Sequence, residues 1–351
     1  MNVRNIATEA VNRSRKLEHL EISLNRSVEY PEITTGLENY RLTHRAIPEI
    51  DLEDVDLSVT FLGKRLSAPI LISSMVGGVD EAGVINGNLA RAAREYGLAM
   101  GVGSQRCALE DPACEASFKI RDLAPDIFLC ANLGAVQLNY GFGADECLRA
   151  VEMIQADALI LHLNPLQEAI QPEGNTRFSG LLKKIEGICR CMPVPVIIKE
   201  VCFGISEEAA RDLANAGASC LDVAGAGGTS WSEVEAHRSP DRAWNSMARA
   251  FSSWGIPTAE SIVLAGKGAP GLPLIASGGI RSGIDAAKAL ALGADLAGIA
   301  LPLFKAACES AEAVSSVLFV ITETLRRAMF CTGARTIEDL HRTKLITKEE
   351  K

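Results

Sequence analysis

Eight short apolar runs recur between residues 68 and 301: APILISSM (68–75), GLAMGVG (97–103), IFLCANL (127–133), ALILHLN (158–164), VPVIIKEV (194–201), CLDVAG (220–225), PLIASG (273–278) and LAGIAL (296–301). Their length suits buried strands, and most intervals between them, such as INGNLARAAREYG and SGIDAAKALALGA, carry helical spacing. This rhythm predicts an α/β fold, a TIM-type (β/α)8 barrel whose functional side chains gather at the C-terminal ends of the strands. The polar and glycine-rich residues that follow the runs would then share one rim.

Residues 1–66 precede the first predicted strand and are read as an N-terminal extension covering the barrel. Pro31, Gly36 and Pro48 interrupt helix there, while the alternation in DLEDVDLSVTFLG predicts short strands. Residues 67–335 form the barrel, and 336–351 a C-terminal tail that is polar at TKEEK. Ser206 should cap the helix in SEEAARDLANAG and Gly217 end it; Ser282 and Asp285 are spaced as a capping box. The interval between strands six and seven, 225 to 273, predicts a long loop with a helix at 244–253. A connection of that length is expected to cover substrate or meet a neighbouring subunit.

Composition narrows the function. The 351 residues are 48% hydrophobic and 23% charged, as for a soluble enzyme. A net charge of −9 argues against non-specific nucleic-acid binding. No apolar run is long enough to span a membrane, and the first 26 residues lack the apolar centre of a secretory signal, so a cytoplasmic location is expected. The ten cysteines show no zinc-ribbon pairing and no CxxC, and are expected to be reduced and mostly buried. HExxH, G-x-S-x-G and P-loop motifs are absent, which removes the usual signatures of zinc hydrolysis, esterase chemistry and nucleotide hydrolysis.

Candidate chemistry sits after the predicted strands. Ser277-Gly278-Gly279-Ile280-Arg281-Ser282-Gly283 after strand seven, with Gly298 and Ala300 at strand eight, has the make-up of a phosphate cradle, since adjacent glycines expose backbone N–H groups and Arg281 adds charge. Lys199 ends strand five; by parity either it or Ile198 faces the barrel. An inward lysine would meet an anion or an electron-rich cofactor ring, and the alternative is a salt bridge to Glu200 or a snorkelling side chain. Strand four delivers His162, Asn164, Gln167 and Glu168, a donor set suited to Mg²⁺ rather than zinc, or alternatively to a hydrogen-bonded loop clamp. Ser73, Ser74 and Met75 follow strand one, Ser104 and Arg106 strand two, and Asn132 ends strand three. Thr229, Trp231 and Glu235 lie in the long connection. Arg15, Lys16 and His19 could clamp a second phosphate group or form a solvated helix face.

Taken in order, RKLEHLEISL (15–24), PILISSMVGG (69–78), GLAMGVGSQR (97–106), ANLGAVQL (131–138), HLNPLQEAIQPEG (162–174), VPVIIKEVCFGIS (194–206), DVAGAGGTSWSEVE (222–235) and IASGGIRSG (275–283) resemble type 2 isopentenyl diphosphate isomerases, from about residue 15 to 335. The resemblance implies an isomerase of isoprene biosynthesis that uses reduced FMN and Mg²⁺ and interconverts isopentenyl and dimethylallyl diphosphate by proton transfer. It further implies a reductant such as NADPH and assembly as a homotetramer or homo-octamer. Ser73, Ser74, Met75, Ser104, Asn132, Lys199, Thr229, Gly279, Arg281 and Ala300 would then hold FMN. Arg15, Lys16, His19, Arg106, His162, Asn164, Gln167, Trp231 and Glu235 would hold or enclose the substrate, and Glu168 would bind the metal. Gln167, Lys199 and His162 would be the catalytic group. Two positions depart from the family pattern: Val76 replaces a hydroxyl-bearing residue, and Pro165 stiffens the loop after Asn164.

Two other readings remain at this stage. An FMN-dependent 2-hydroxy acid oxidase or dehydrogenase on the same barrel would need a base and a carboxylate anchor, for which His237 and Arg238 stand as candidates. A flavin- or phosphate-binding regulatory barrel without turnover would account for the cradle, though not for the cluster from His162 to Glu168.

Overall fold

The eight apolar runs become eight parallel strands: Ile70–Ile72, Ala99–Gly101, Phe128–Gly134, Ala158–His162, Val196–Lys199, Cys220–Asp222, Leu274–Ala276 and Leu296–Ile299. Each pairs with the next in chain order, and the eighth pairs with the first to close a barrel. This computed structural model describes residues 15–239 and 241–347.

Strand parity divides the core in two. Leu71, Ala99, Phe128, Cys130, Ala158, Ile160, Ile197, Cys220, Ile275 and Leu296 form one apolar cluster inside the barrel. Their neighbours, among them Ile70, Ile72, Leu129, Leu159, Leu161, Ile198 and Leu221, pack outward against the helices. Burial of each such Leu or Ile contributes about 1.5–3 kcal/mol. The inner cluster also includes Phe61 and Leu66, from a hairpin of Val59–Phe61 and Lys64–Leu66 that plugs the N-terminal end, with Phe61 edge-on to Phe128 at 5.5 Å. Further along the same inward rows the side chains turn polar, so the C-terminal mouth is the chemically active end.

Local capping follows the sequence. Ser206 accepts from the Ala209 N–H to start the helix Glu207–Asn215, and Ser282 with Asp285 forms the capping box of Gly283–Ala291. The long connection between strands six and seven is not a loop. It holds three helices, Trp231–Arg238, Arg242–Arg249 and Thr258–Gly268. The first two are capped by Ser230 and Asp241, and the last packs on Glu207–Asn215 in the position of the barrel's sixth helix. Gly266 and Gly268 lower the helical propensity of that segment, which is why its sequence reads as loop. Residues set apart as a tail contain the helix Ile337–His341 and a strand, Leu345–Thr347, paired antiparallel with Tyr40–Leu42.

All ten cysteines are free, and four of them, Cys130, Cys147, Cys202 and Cys220, are fully buried. The expectation that most are buried is corrected: the remaining six lie in the outer packing or near the surface, and Cys191 and Cys308 are exposed. Among the described residues, no helix is long and apolar enough to cross a membrane.

Candidate active site

Strand register sets His162, Lys199 and Asp222 side by side at the ends of strands four, five and six. Lys199 shares its inward parity with Ile197, so its ammonium enters the mouth, 3.2 Å from Asp222 Oδ2 and 3.5 Å from Ser277 Oγ. Ser277 Oγ donates to Asp222 Oδ1 at 2.6 Å. Asp222 is wholly buried and Lys199 nearly so. The alternative pairing of Lys199 with Glu200 does not form. Glu200 points the other way, where one carboxylate oxygen accepts the N–H groups of Val201, Cys202 and Phe203 at 2.6–2.8 Å. Burial nonetheless pushes the Glu200 carboxyl up to about 7.

His162 Nδ1 lies 2.8 Å from Asn132 Oδ1. Asn132 itself is fixed on both sides, its Nδ2 donating to the Val102 carbonyl at 3.1 Å and its backbone N–H to Gln105 Oε1 at 2.9 Å. Burial first, then the Lys199 charge, lowers the imidazole to about 4. It is therefore neutral near pH 7.

Past strand four, Pro165 opens the short helix Pro165–Ile170 and turns three polar side chains toward one another. Asn164 Nδ2 donates to Gln167 Oε1 and to Glu168 Oε1, each at 3.0 Å. Glu168 Oε2 accepts the Asn175 N–H at 2.5 Å, so the carboxylate also clamps the loop that follows. Asn164, Gln167 and Glu168 are all buried. Among the described residues no group of three His, Cys, Asp or Glu side chains could hold a metal, which leaves Glu168 as a lone acidic donor beside amide oxygens. Asn164 Oδ1 is buried without a hydrogen-bond partner. Oxygen donors of this kind, one of them unsatisfied, fit Mg²⁺ completed by substrate oxygens and water.

A helical segment over 15–25 brings the N-terminal basic residues to this end of the barrel. Lys16 and His19 are three positions apart and so share a face. Lys16 Nζ donates to the carbonyls of Gly77 at 2.6 Å and Ser104 at 3.4 Å, after strands one and two. His19 reaches the other side, with Nε2 2.8 Å from Glu235 Oε1 and its ring edge-on to Trp231 at 5.1 Å. Glu235 also accepts from Gln171 at 2.7 Å and from Arg238 at 2.7 Å. Burial would raise this carboxyl, but His19 and Arg238 outweigh it and hold it below the usual carboxylate range. Arg15 lies in the same segment and is half-buried.

The flavin fit can be tested on the residues themselves. Ser73 Oγ and Ser74 Oγ, at the end of strand one, are buried and lack any partner; Asp222 Oδ2 pairs with Lys199 by charge but lacks hydrogen-bond geometry. Such orphans at a barrel mouth call for a polar ligand. Gly278 and Gly279 have φ of 100° and 72°, and a side chain on Gly278 would strike the Gly225 carbonyl oxygen at 2.1 Å. Only glycine permits the backbones after strands six and seven to meet there, the arrangement a phosphate cradle needs. Thr229 bridges to Glu29 beside it, and Ala300 starts the helix Leu301–Ala307. Met75 packs against the core next to the two serines.

Two expected anion contacts are otherwise engaged. Arg281 pairs with Glu29 at 2.9 Å and Arg106 with Glu110 at 2.8 Å. The first is a partly exposed pair that contributes little and is readily exchanged; the second is an i,i+4 pair along its own short helix. Sequence reasoning missed Asp222, Ser277 as its partner, Gln171 and Asn175. Asp222 was recoverable, because parity with the buried Cys220 turns a carboxylate into the barrel. Gln171 acts through a contact with Glu235, 64 positions away, and Asn175 through the loop that returns its N–H to Glu168.

The barrel, the inward lysine and the glycine cradle together define a class, and the sequence agrees. Residues 9–120 and 162–347 match the FMN-dependent dehydrogenase family. Solved structures share the fold: a Pediococcus acidilactici lactate oxidase at TM-score 0.66, 17% identical, covering 99% of this chain and 96% of that one, and a mandelate oxidase at 0.64, 19% identical, covering 99% of each. Far closer in sequence are isopentenyl-diphosphate delta-isomerases from Nostoc sp., 53% identical over 97% of both chains, and Synechococcus sp., 54% identical over 94% of both. The chain belongs to this isopentenyl-diphosphate delta-isomerase family, within the FMN-dependent group.

Proposed function

We propose that the protein interconverts isopentenyl diphosphate and dimethylallyl diphosphate, using reduced FMN and Mg²⁺. The observation that carries this reading is the convergence of Asn164, Gln167 and Glu168 with Lys16 and His19 at one barrel mouth, in a chain about half identical to isomerases along nearly its whole length. Ser73, Ser74, Asn132, Lys199 and the Gly279 cradle would hold the flavin, with Met75, Ser104, Thr229, Arg281 and Ala300 around it. Bound in reduced form, FMN would supply an electron-rich ring and a nitrogen able to exchange a proton.

The side chains divide the remaining work. Glu168 and amide oxygens would hold Mg²⁺, whose charge would neutralise the diphosphate. Lys16, Arg15 and Arg106 supply positive charge to the same group. His162, kept neutral and oriented by Asn132, serves as a hydrogen-bonding partner rather than a cation. Gln167 is uncharged and buried, so it orients the five-carbon tail and excludes water without competing for its proton. Trp231 and Glu235, drawn in by His19, wall the pocket, and the ammonium of Lys199 compensates negative charge on a reduced ring.

The 2-hydroxy acid oxidase reading loses its proposed machinery. His237 is half-buried and bonds the Ser27 carbonyl at 3.0 Å, while Arg238 is tied to Glu235 and Glu173 at 2.7–2.8 Å. A cytoplasmic setting, NADPH or a similar reductant, and a homotetrameric or homo-octameric assembly complete the proposal. Anaerobic incubation with isopentenyl diphosphate, FMN, reductant and Mg²⁺ tests it through formation of dimethylallyl diphosphate.

A further inference from the structure

Beside the Lys16 anchor lie two thiols that the proposed isomerisation does not use. Cys107 is in the helix Arg106–Glu110 and Cys114 in the 3-10 helix Pro112–Phe118, joined through Asp111. Asp111 N–H donates to the Cys107 carbonyl at 2.7 Å and Cys114 N–H to the Asp111 carbonyl at 3.0 Å, which folds the two turns onto each other. Lys16 Nζ is 2.8 Å from Cys107 Sγ. The slot that admits both groups exists because residue 78 is glycine: a side-chain carbon there would meet Cys107 Sγ at 2.2 Å and Lys16 Nζ at 2.4 Å. Neither thiol is fully buried.

We propose that Cys107 and Cys114 are an oxidisable dithiol that hydrogen peroxide closes to a disulfide, and that closure removes the thiol partner of Lys16. Cys107, the sulfur in contact with the Lys16 Nζ at 2.8 Å, is the attacking one. Its thiolate attacks peroxide, the O–O bond breaks, and Cys107 becomes a sulfenic acid with release of hydroxide, which takes up a proton to form water. The Cys114 thiol then attacks the Cys107 sulfur, the S–O bond breaks, and the departing hydroxide leaves as water with the thiol proton. Two thiols are oxidised by two electrons, and one peroxide is reduced to two waters. Cys114 suits the resolving role: burial, then its proximity to Cys107, pushes its thiol up to about 12, so it does not compete as the first nucleophile.

The consequence for activity rests on the diphosphate role proposed for Lys16, but the chemistry can be tested apart from it. Trypsin releases both cysteines in one peptide, Cys107–Lys119, that contains no other cysteine. In full-length protein treated with equimolar peroxide, that peptide should become lighter by two hydrogens before the exposed Cys191 and Cys308 change. Cys114→Ser should stop at a sulfenic acid trapped by dimedone, and Lys16→Met should slow the oxidation by about threefold or more. If Cys107 and Cys114 remain open to iodoacetamide while Cys191 or Cys308 oxidises, or if Lys16→Met oxidises as fast as the parent, the proposal is overturned. With the disulfide formed, KM for the diphosphate should rise more than kcat falls, and reductant should restore it. A disulfide that forms with KM unchanged would leave the dithiol standing and remove the coupling to Lys16.

Discussion

His162 Nδ1 faces Asn132 Oδ1 at 2.8 Å, and because Asn132 Nδ2 is committed to the Val102 carbonyl, the imidazole carries its proton on Nδ1 and leaves Nε2 as an acceptor. Its native value of about 4 lies below the ordinary 6.5. The unfolded chain therefore binds the proton more readily. Stability from this group is fully present above about pH 6.5 and is lost as pH falls toward 4, by up to roughly 3 kcal/mol. Urea unfolding at pH 7.5, 6 and 5 should show that loss in the parent and a shallower one in His162→Asn. Equal slopes would contradict a neutral, buried His162.

Glu168→Gln keeps an oxygen for the Asn175 N–H and so should preserve the loop and flavin binding. It removes the carboxylate charge, and Mg²⁺-dependent activity should fall by at least tenfold, read from a Mg²⁺ titration. An unchanged titration would reduce Glu168 to the loop clamp already visible in its bond to Asn175.

Lys199 and Asp222 form a buried pair whose halves depend on each other. Asp222→Ala leaves the ammonium buried without a counter-charge and should cost about 3–5 kcal/mol in urea unfolding. The double variant with Lys199→Met should recover a large share of that loss. Additive losses would show that the pair is not coupled.

Much of this was legible before the fold. The eight apolar runs specify the barrel because short parallel strands buried on both faces leave no polar alternation. The motifs from His162 to Glu168 and from Ser277 to Gly283 mark the rim because they follow strand ends. What stayed hidden depends on contacts between distant segments. Lys199 had two candidate faces until register placed it beside Asp222, and the Arg281–Glu29 pair joins residues 252 positions apart. Of the helices between 231 and 268, the one expected at 244–253 forms at Arg242–Arg249, while Thr258–Gly268 was obscured by its own glycines.

The N-terminal helical segment is held at Glu235, which gathers His19, Gln171 and Arg238. Trypsin cleavage after Arg15 and Lys16 should slow when FMN, Mg²⁺ and substrate diphosphate are present, and should quicken in Glu235→Ala. Arg13, the neighbouring cleavage site, lies outside the described residues. Cleavage that ignores both ligand and substitution would mean that Arg15, Lys16 and His19 do not close over the substrate.

The most direct measurement is turnover of isopentenyl diphosphate by the purified protein under anaerobic conditions, with FMN, a reductant and Mg²⁺, followed by separation of the two isomers. Dimethylallyl diphosphate should accumulate to equilibrium with reduced flavin, and omission of FMN or reductant should stop it. No dimethylallyl diphosphate under those conditions, or oxygen uptake with small 2-hydroxy acids and no need for reductant, would contradict the account.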